Sequence, residues 1–186
     1  ERRKLWGVRK EEPKQFIQVA EGTLTMDEFI NQLTEEDLLE LLGGQPNTGV
    51  ANTFGFGNLP GYGVPNIMTA DGPAGLRIAP ECGICTTAWP CATLLACTWN
   101  TDLVEMIGEA GAKEVKENNI GVWLTPAVNI HRNPLCGRNF EYYSEDPLVA
   151  GKMGAAMVRG IQSRHIAATV KHFAANNKET NRKHSD

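Results

Sequence analysis

The stretch GVWLTPAVNIHRNPLCGRNFEYYSEDP, residues 121–147, decides how this chain is to be read. It opens on Val122, Trp123 and Leu124, the short apolar run of a buried strand. It crosses Thr125-Pro126 and spreads into Asn129, His131, Arg132, Asn133, Arg138 and Glu141, with Tyr142 and Tyr143 behind them. Asp146 followed by Pro147 predicts a helix start, Asp at the N-cap and Pro at the first helical position. A buried strand therefore delivers a long polar loop, and a capped helix carries the chain away. A loop of this length, rich in Arg, Asn and aromatic side chains, is of the kind that binds something.

The same pattern recurs on both sides. Upstream, residues 66–70 (NIMTA) predict a short buried strand ending in DGPAGLR, residues 71–77. That places the Asp71 carboxylate at the strand's carboxyl end on a tight turn; an Asx turn that merely closes the loop is the alternative. A helix capped by Asn100 or Thr101 should run to about Lys116, with Leu103, Val104, Ile107, Ala110, Gly111 and Val115 on its apolar face. Downstream, the helix over 147–162 should bury Val149, Met153, Ala156, Met157 and Ile161. A third strand over 165–170 ends in Lys171-His172 and a polar run to Arg182.

Strand, helix, strand, helix, strand is an α/β order that predicts parallel strands with right-handed crossovers. Polar groups follow each strand's carboxyl end. A closed (β/α) barrel gathers such groups on one rim, whereas an open doubly wound sheet binds near a single crevice. Three polar loops in succession favour the barrel.

Residues 1–45 read as a linker and helical lead-in, and 46–186 as the incomplete first part of the barrel. Residues 1–20 are charged and aperiodic. Thr25 with Glu28 fits a capping box, and Thr34 followed by Glu35, Glu36 and Asp37 starts another short helix. These short helices read as a packing lid. The glycine-rich run over 43–63 lacks the strand–GxGxxG–helix context of a phosphate cradle, so an irregular surface loop is expected.

Bulk composition removes other classes. Apolar content of 41% with 22% charged residues describes a soluble globular chain. A net charge of −4 without a basic cluster argues against nucleic acid. No run approaches the ~18 apolar residues of a membrane span. The chain begins Glu-Arg-Arg with no recognisable signal peptide, so its true start is unseen. Five cysteines cannot all pair, which favours a reducing, cytoplasmic setting. Cys82-x-x-Cys85 is followed by Cys91 and Cys97 at unpaired spacing, so loop or buried thiols are expected and no metal. No cofactor is implied.

One carboxylate set among Arg, Lys, His and Asn suits a polyhydroxylated ligand, because each hydroxyl makes directional, charge-assisted bonds to such groups. An anion could use the same Arg and Lys. No nucleophile elbow and no HExxH occur.

Four stretches, TADGPAGLRI at 69–78, TAWP at 87–90, NIHRNPLCGRNFEYYSEDP at 129–147 and VKHFAANNKETNR at 170–182, resemble the barrel domain of glycoside hydrolase family 3, most closely its β-glucosidases. The resemblance implies the first three strand–helix units of a (β/α)8 TIM-like barrel. It implies that Asp71 holds the 4- and 6-hydroxyls of a terminal sugar, helped by Arg77. Arg138, Lys171 and His172 would hold the other ring hydroxyls. Glu141, Glu145 and Arg182 would orient these loops, with ordinary ion pairs as the alternative. In the family it resembles, the peptide joining this Lys171 and His172 pair can be cis. Retaining glycosidases need two carboxylates about 5–5.5 Å apart. The resemblance puts both the nucleophilic Asp and the acid/base outside this chain; Ser185-Asp186 comes one loop too early to supply the nucleophile.

The expected function is therefore part of a retaining, exo-acting β-glucosidase acting on β-glucosides or gluco-oligosaccharides. The alternatives are a non-catalytic carbohydrate-binding module, a β-xylosidase, or an anion- or nucleotide-binding α/β protein. The expected partner is the remainder of the same enzyme, because a barrel of this kind needs about 250 residues. A lone 186-residue chain is not expected to give a sharp cooperative melt.

Overall fold

The computed structural model describes residues 12–46 and 49–184. They fall into two compact units. One joins residues 12–45 to Phe56–Asn66, and the other joins 46–55 to the residues from Ile67 onward. Residues 56–66, read above with the second segment, lie in the first.

The first unit carries three short helices: α1 (Phe16–Ala20), α2 (Met26–Ile30) and α3 (Glu35–Leu42). Both expected capping boxes form. Thr25 Oγ1 accepts from the Glu28 amide at 3.2 Å, and Thr34 Oγ1 accepts from the Asp37 amide at 3.2 Å. In return Glu28 and Asp37 accept from the amides of Thr25 and Thr34, so donors that an isolated helix leaves open are satisfied in pairs. Helix α1 lies in the segment expected to be aperiodic; residues 1–11 of that segment lie outside the described residues. The glycine-rich run is not the irregular loop its composition suggests. It holds β1 (Phe56–Leu59), which is hydrogen-bonded to β2 (Val64–Ile67), just past the run, as a two-stranded sheet around a turn at Pro60–Tyr62. Gly57 allows the pairing: a Cβ there would stand 2.5 Å from the Pro65 carbonyl oxygen.

The second unit is built on a parallel three-stranded sheet, β3 (Thr69–Ala70), β4 (Val122–Trp123) and β5 (Ala167–Ala168), in that order. Ala70 pairs with Trp123, and Trp123 pairs with Ala168. The connections are α4 (Ala92–Ala96) with α5 (Thr101–Glu117), then α6 (Pro147–Gln162). Asn100 caps α5, accepting from the Leu103 amide at 3.0 Å. Asp146 caps α6, accepting from Leu148 at 2.7 Å and Val149 at 3.0 Å. Helix α5 buries Val104, Ile107, Gly108, Gly111, Ala112 and Val115; Ala110, expected on that face, is exposed. Helix α6 buries Met153, Ala156, Met157 and Ile161 as expected, while Val149 is only half-buried.

Trp123 anchors this core at 1% exposure. Its ring fills the space opposite Gly111, where a Cβ would lie 2.4 Å from the indole. Its Nε1 donates to the Gly72 carbonyl at 3.2 Å. The β4 strand thus holds the turn that carries Asp71.

Candidate functional site

Parallel register sets where the polar loops emerge. Ala70, Trp123 and Ala168 lie side by side, so the chain leaves all three strands at one end of the sheet. Asp71 is the next residue after β3. The pairing resumes beyond β4 and β5 as a parallel bridge between Ala127 and Lys171. Lys171 donates its amide to Pro126 O at 2.9 Å, and Val128 donates to Lys171 O at 2.8 Å.

The turn after β3 is closed by its own backbone. Gly75 N donates to Gly72 O at 3.1 Å, and Arg77 N donates to Asp71 O at 3.0 Å. Gly72 and Gly75 take φ of 119° and 136°, and a Cβ on Gly72 would meet Gly75 O at 1.8 Å. Only glycine fits there. The Asp71 side chain is consequently aimed rather than free. It accepts from Lys171 Nζ, which lies 100 residues away in sequence, and from Arg77 Nη1 at 3.1 Å.

Lys171 and His172 are joined by a cis peptide, the isomer that the resemblance allows for. Asn129 reads both polar groups of the His172 backbone: His172 N donates to Asn129 Oδ1 at 2.8 Å, and Asn129 Nδ2 donates to His172 O at 3.2 Å. The His172 ring lies between Arg138 Nη2, 3.0 Å from Nε2, and the Tyr142 hydroxyl, 3.1 Å from Nδ1. Arg138 is itself paired through Nε with Glu141, a carboxylate only 4% exposed. A carboxylate so buried needs a partner of this kind, because leaving it unpaired would cost several kcal/mol.

Asp71, Arg77, Lys171, His172, Arg138 and Glu141 therefore form one connected polar surface at the carboxyl ends of β3 and β5 and in the loop after β4. Arg182 is exposed and pairs with Glu179 at 3.4 Å, near enough for its charge to bear on His172. Glu145 stands apart. It is exposed and borders a separate cavity of about 380 Å³ with Trp99, His131 and Ser144. His131 is a tying residue, its Nε2 2.8 Å from Asn139 O and 2.9 Å from Tyr142 O. Ser185-Asp186 lies outside the described residues. Asn129, Tyr142 and Asn176 had no role in the sequence reading; the one signal for them was their place in loops already marked as polar. Among the described residues no group of His, Cys, Asp and Glu could hold a metal ion.

Electrostatics follow from these contacts. Burial works against ionisation of Asp71, yet Lys171, the Gly72 amide and Arg77 together outweigh it and hold the carboxyl below its ordinary range. Burial, reinforced by Arg138 and Lys171 and opposed by Glu141, pushes the His172 imidazole down, so it is neutral at pH 7. For Asp71 the unfolded chain binds its proton first on acidification. Its contribution to stability is complete above the ordinary carboxyl pKa of about 4 and is lost as pH falls through the lower folded value. In the full-length protein, the urea midpoint of the wild type relative to Asp71→Asn is thus expected to be flat above about pH 5 and to shrink below about pH 4. A difference independent of pH down to full protonation would contradict the pairing.

Comparison with known proteins gives the family of the chain. Residues 60–186 match the profile of the "Glycosyl hydrolase family 3 N terminal domain". The chain belongs to glycoside hydrolase family 3. Its fold is correspondingly part of that family's TIM-barrel-like N-terminal domain. A curated relative, beta-glucosidase A of Butyrivibrio fibrisolvens, is 69% identical over 175 residues, covering 94% of this chain and 21% of the relative. The solved beta-glucosidase from Paenibacillus barengoltzii superposes with a TM-score of 0.84 at 41% identity, covering 89% of this chain and 19% of that one. Beta-glucosidase 3B from Thermotoga neapolitana, solved in complex with alpha-D-glucose, gives 0.77 at 44% identity, covering 82% and 23%. The chain spans about a fifth of the length of these family 3 relatives. Among its described residues no helix is long and apolar enough to cross a membrane.

Proposed function

We propose that this chain supplies sugar-binding residues to a retaining, exo-acting β-glucosidase that releases terminal non-reducing β-D-glucosyl units. In this proposal Asp71, Arg77, Arg138, Lys171 and His172 grip the ring hydroxyls, and Glu141 fixes Arg138. The nucleophile and the acid/base come from the remainder of the protein, which is also the chain's partner.

The observation that carries the proposal is the Asp71–Lys171 contact. It brings two turns from opposite edges of the sheet onto one point and leaves a carboxylate, an ammonium and an imidazole on one face. Each hydroxyl of a pyranose donates once and accepts twice, so a face mixing anionic acceptor, cationic donors and neutral imidazole matches it. The beta-glucosidase names of its relatives and the glucose in the Thermotoga complex point the same way.

The test is hydrolysis of an aryl β-D-glucoside by the full-length protein, with the anomer released first identified by NMR. β-Glucose appearing before α-glucose is expected, at higher kcat/KM than for the matching aryl β-D-xyloside. Release of the α-anomer first would overturn the retaining mechanism. Binding of glucose without turnover would favour the carbohydrate-binding alternative, and preference for the xyloside would favour a β-xylosidase.

A further inference from the structure

The Tyr142 hydroxyl has one proton and two lone pairs, and its neighbours account for all three. It donates to the Asn176 carbonyl at 2.9 Å and accepts from Asn176 Nδ2 at 3.1 Å. The proton is used, so toward His172 Nδ1, at 3.1 Å, the oxygen acts as acceptor and Nδ1 carries the hydrogen. The other side of the ring gives the same answer independently. Arg138 Nη2, 3.0 Å from Nε2, has no lone pair to offer, so Nε2 is bare and accepts. The Asn129 clamp fixes the His172 backbone from which the ring projects.

From this geometry we infer that Tyr142 is a positioning residue that holds His172 in its Nδ1–H tautomer, so that the ring meets the sugar as a hydrogen-bond acceptor at Nε2. A substrate hydroxyl that donates to Nε2 takes over or shares the place that Arg138 Nη2 occupies in this structure. The inference rests on the proposed sugar-binding role of His172. Tyr142 is fully buried, and burial pushes its phenol up to about 12, so it stays a neutral hydroxyl across the working range. The charged and titratable groups facing His172 are Arg138, Glu141 and Tyr142 from the loop after β4, Lys171 beside it, and Arg182 from the segment that follows. Three cations among them oppose a second proton on the ring.

The test is a double-mutant cycle on kcat/KM in the full-length protein, combining Tyr142→Phe with His172→Ala. Tyr142→Phe keeps the ring and removes only the oxygen. Alone it is expected to lower kcat/KM about tenfold, the worth of one hydrogen bond to a reacting-site group. In the His172→Ala background it should cost less than twofold, because the residue it acts through is gone. Effects that multiply would overturn the inference, since a merely structural tyrosine costs the same in either background. Should the variant not fold, neutron diffraction of the wild type decides: a deuteron on Nδ1 and none on Nε2 is expected, and a deuteron on Nε2 would overturn it. Absence of glycosidase activity in the wild type would instead sink the proposed function and leave the diffraction result intact.

Discussion

Asp71→Asn in the full-length protein is expected to lower kcat/KM on an aryl β-D-glucoside by two to four orders of magnitude while leaving it folded. The amide has nearly the shape of the carboxylate, so the closed turn, with its Gly72 and Gly75 conformations, has no steric reason to change. What it loses is charge. The carboxylate accepts from Lys171 and Arg77 now, and in the proposed complex it also accepts from two sugar hydroxyls. Hydrogen bonds to a charged group contribute about 1.5–3 kcal/mol each, so two give about 3–6 kcal/mol, or roughly 10²–10⁴ in rate. The asparagine keeps one acceptor oxygen and must turn its NH₂ toward either Lys171 or Arg77, a donor facing a cationic donor. Interactions that tighten in the transition state should make much of the loss fall on kcat rather than KM. Steady-state kinetics on the purified variant checks this. A change below tenfold would remove Asp71 from the site.

The largest stability effect is expected at Gly160, where α6 packs against α5. Helices α5 and α6 touch through glycines. A Cβ at Gly160 would lie 2.1 Å from Glu105 O and 2.8 Å from Glu109 N, and one at Gly108 would lie 2.7 Å from Met157 O. These are backbone atoms, which cannot swing aside. Gly160→Ala must force the helices apart and loosen Met157, Ile161 and Val104 between them. Overpacking of this kind costs about 1–3 kcal/mol, and more where backbone is met directly, so a loss of about 3 kcal/mol is expected. The ion pairs at the rim, Arg159 with Glu105 at 2.8 Å and Arg164 with Glu109, would be drawn apart as well. Gly151 on the same helix is the control. It is exposed with nothing within 4 Å of its missing Cβ, so Gly151→Ala should stabilise by up to about 1 kcal/mol through helix propensity. Urea midpoints at constant m-value separate the two. Equal shifts would mean that α5 and α6 have slack.

Much of this fold was legible because its signals are local. Thr25, Thr34, Asn100 and Asp146 cap where they should, since a cap is decided within four residues. The strands were found from their apolar runs, but their paired lengths were overread. Only Ala167–Ala168 of the 165–170 run is laddered, because chain direction after it is set by pairing to Ala127 rather than by composition. The β1–β2 pair was missed because Gly57 and Asn58 take positive φ, and their residue types signal turn as readily as a bent strand. Asp71, Arg138, Lys171 and His172 stand out as charged or titratable residues in the polar stretches after apolar strands. Tyr142 did not, since a tyrosine in a loop is as often packing as purpose; its role appears only once a histidine 30 residues away is seen beside it. Glu145, four residues from Glu141, shares its motif, but Glu141 is buried against Arg138 whereas Glu145 is exposed beside a separate cavity.

The 100-residue separation between Asp71 and Lys171 also governs when this surface comes into being. Closing so long a loop is entropically costly, and nothing at the rim can offset it until the sheet beneath has zipped into register. Changes at Asp71 or Lys171 should therefore leave the rate of folding nearly untouched and speed unfolding instead. Natural selection is then at liberty to retune the rim without slowing the birth of the scaffold.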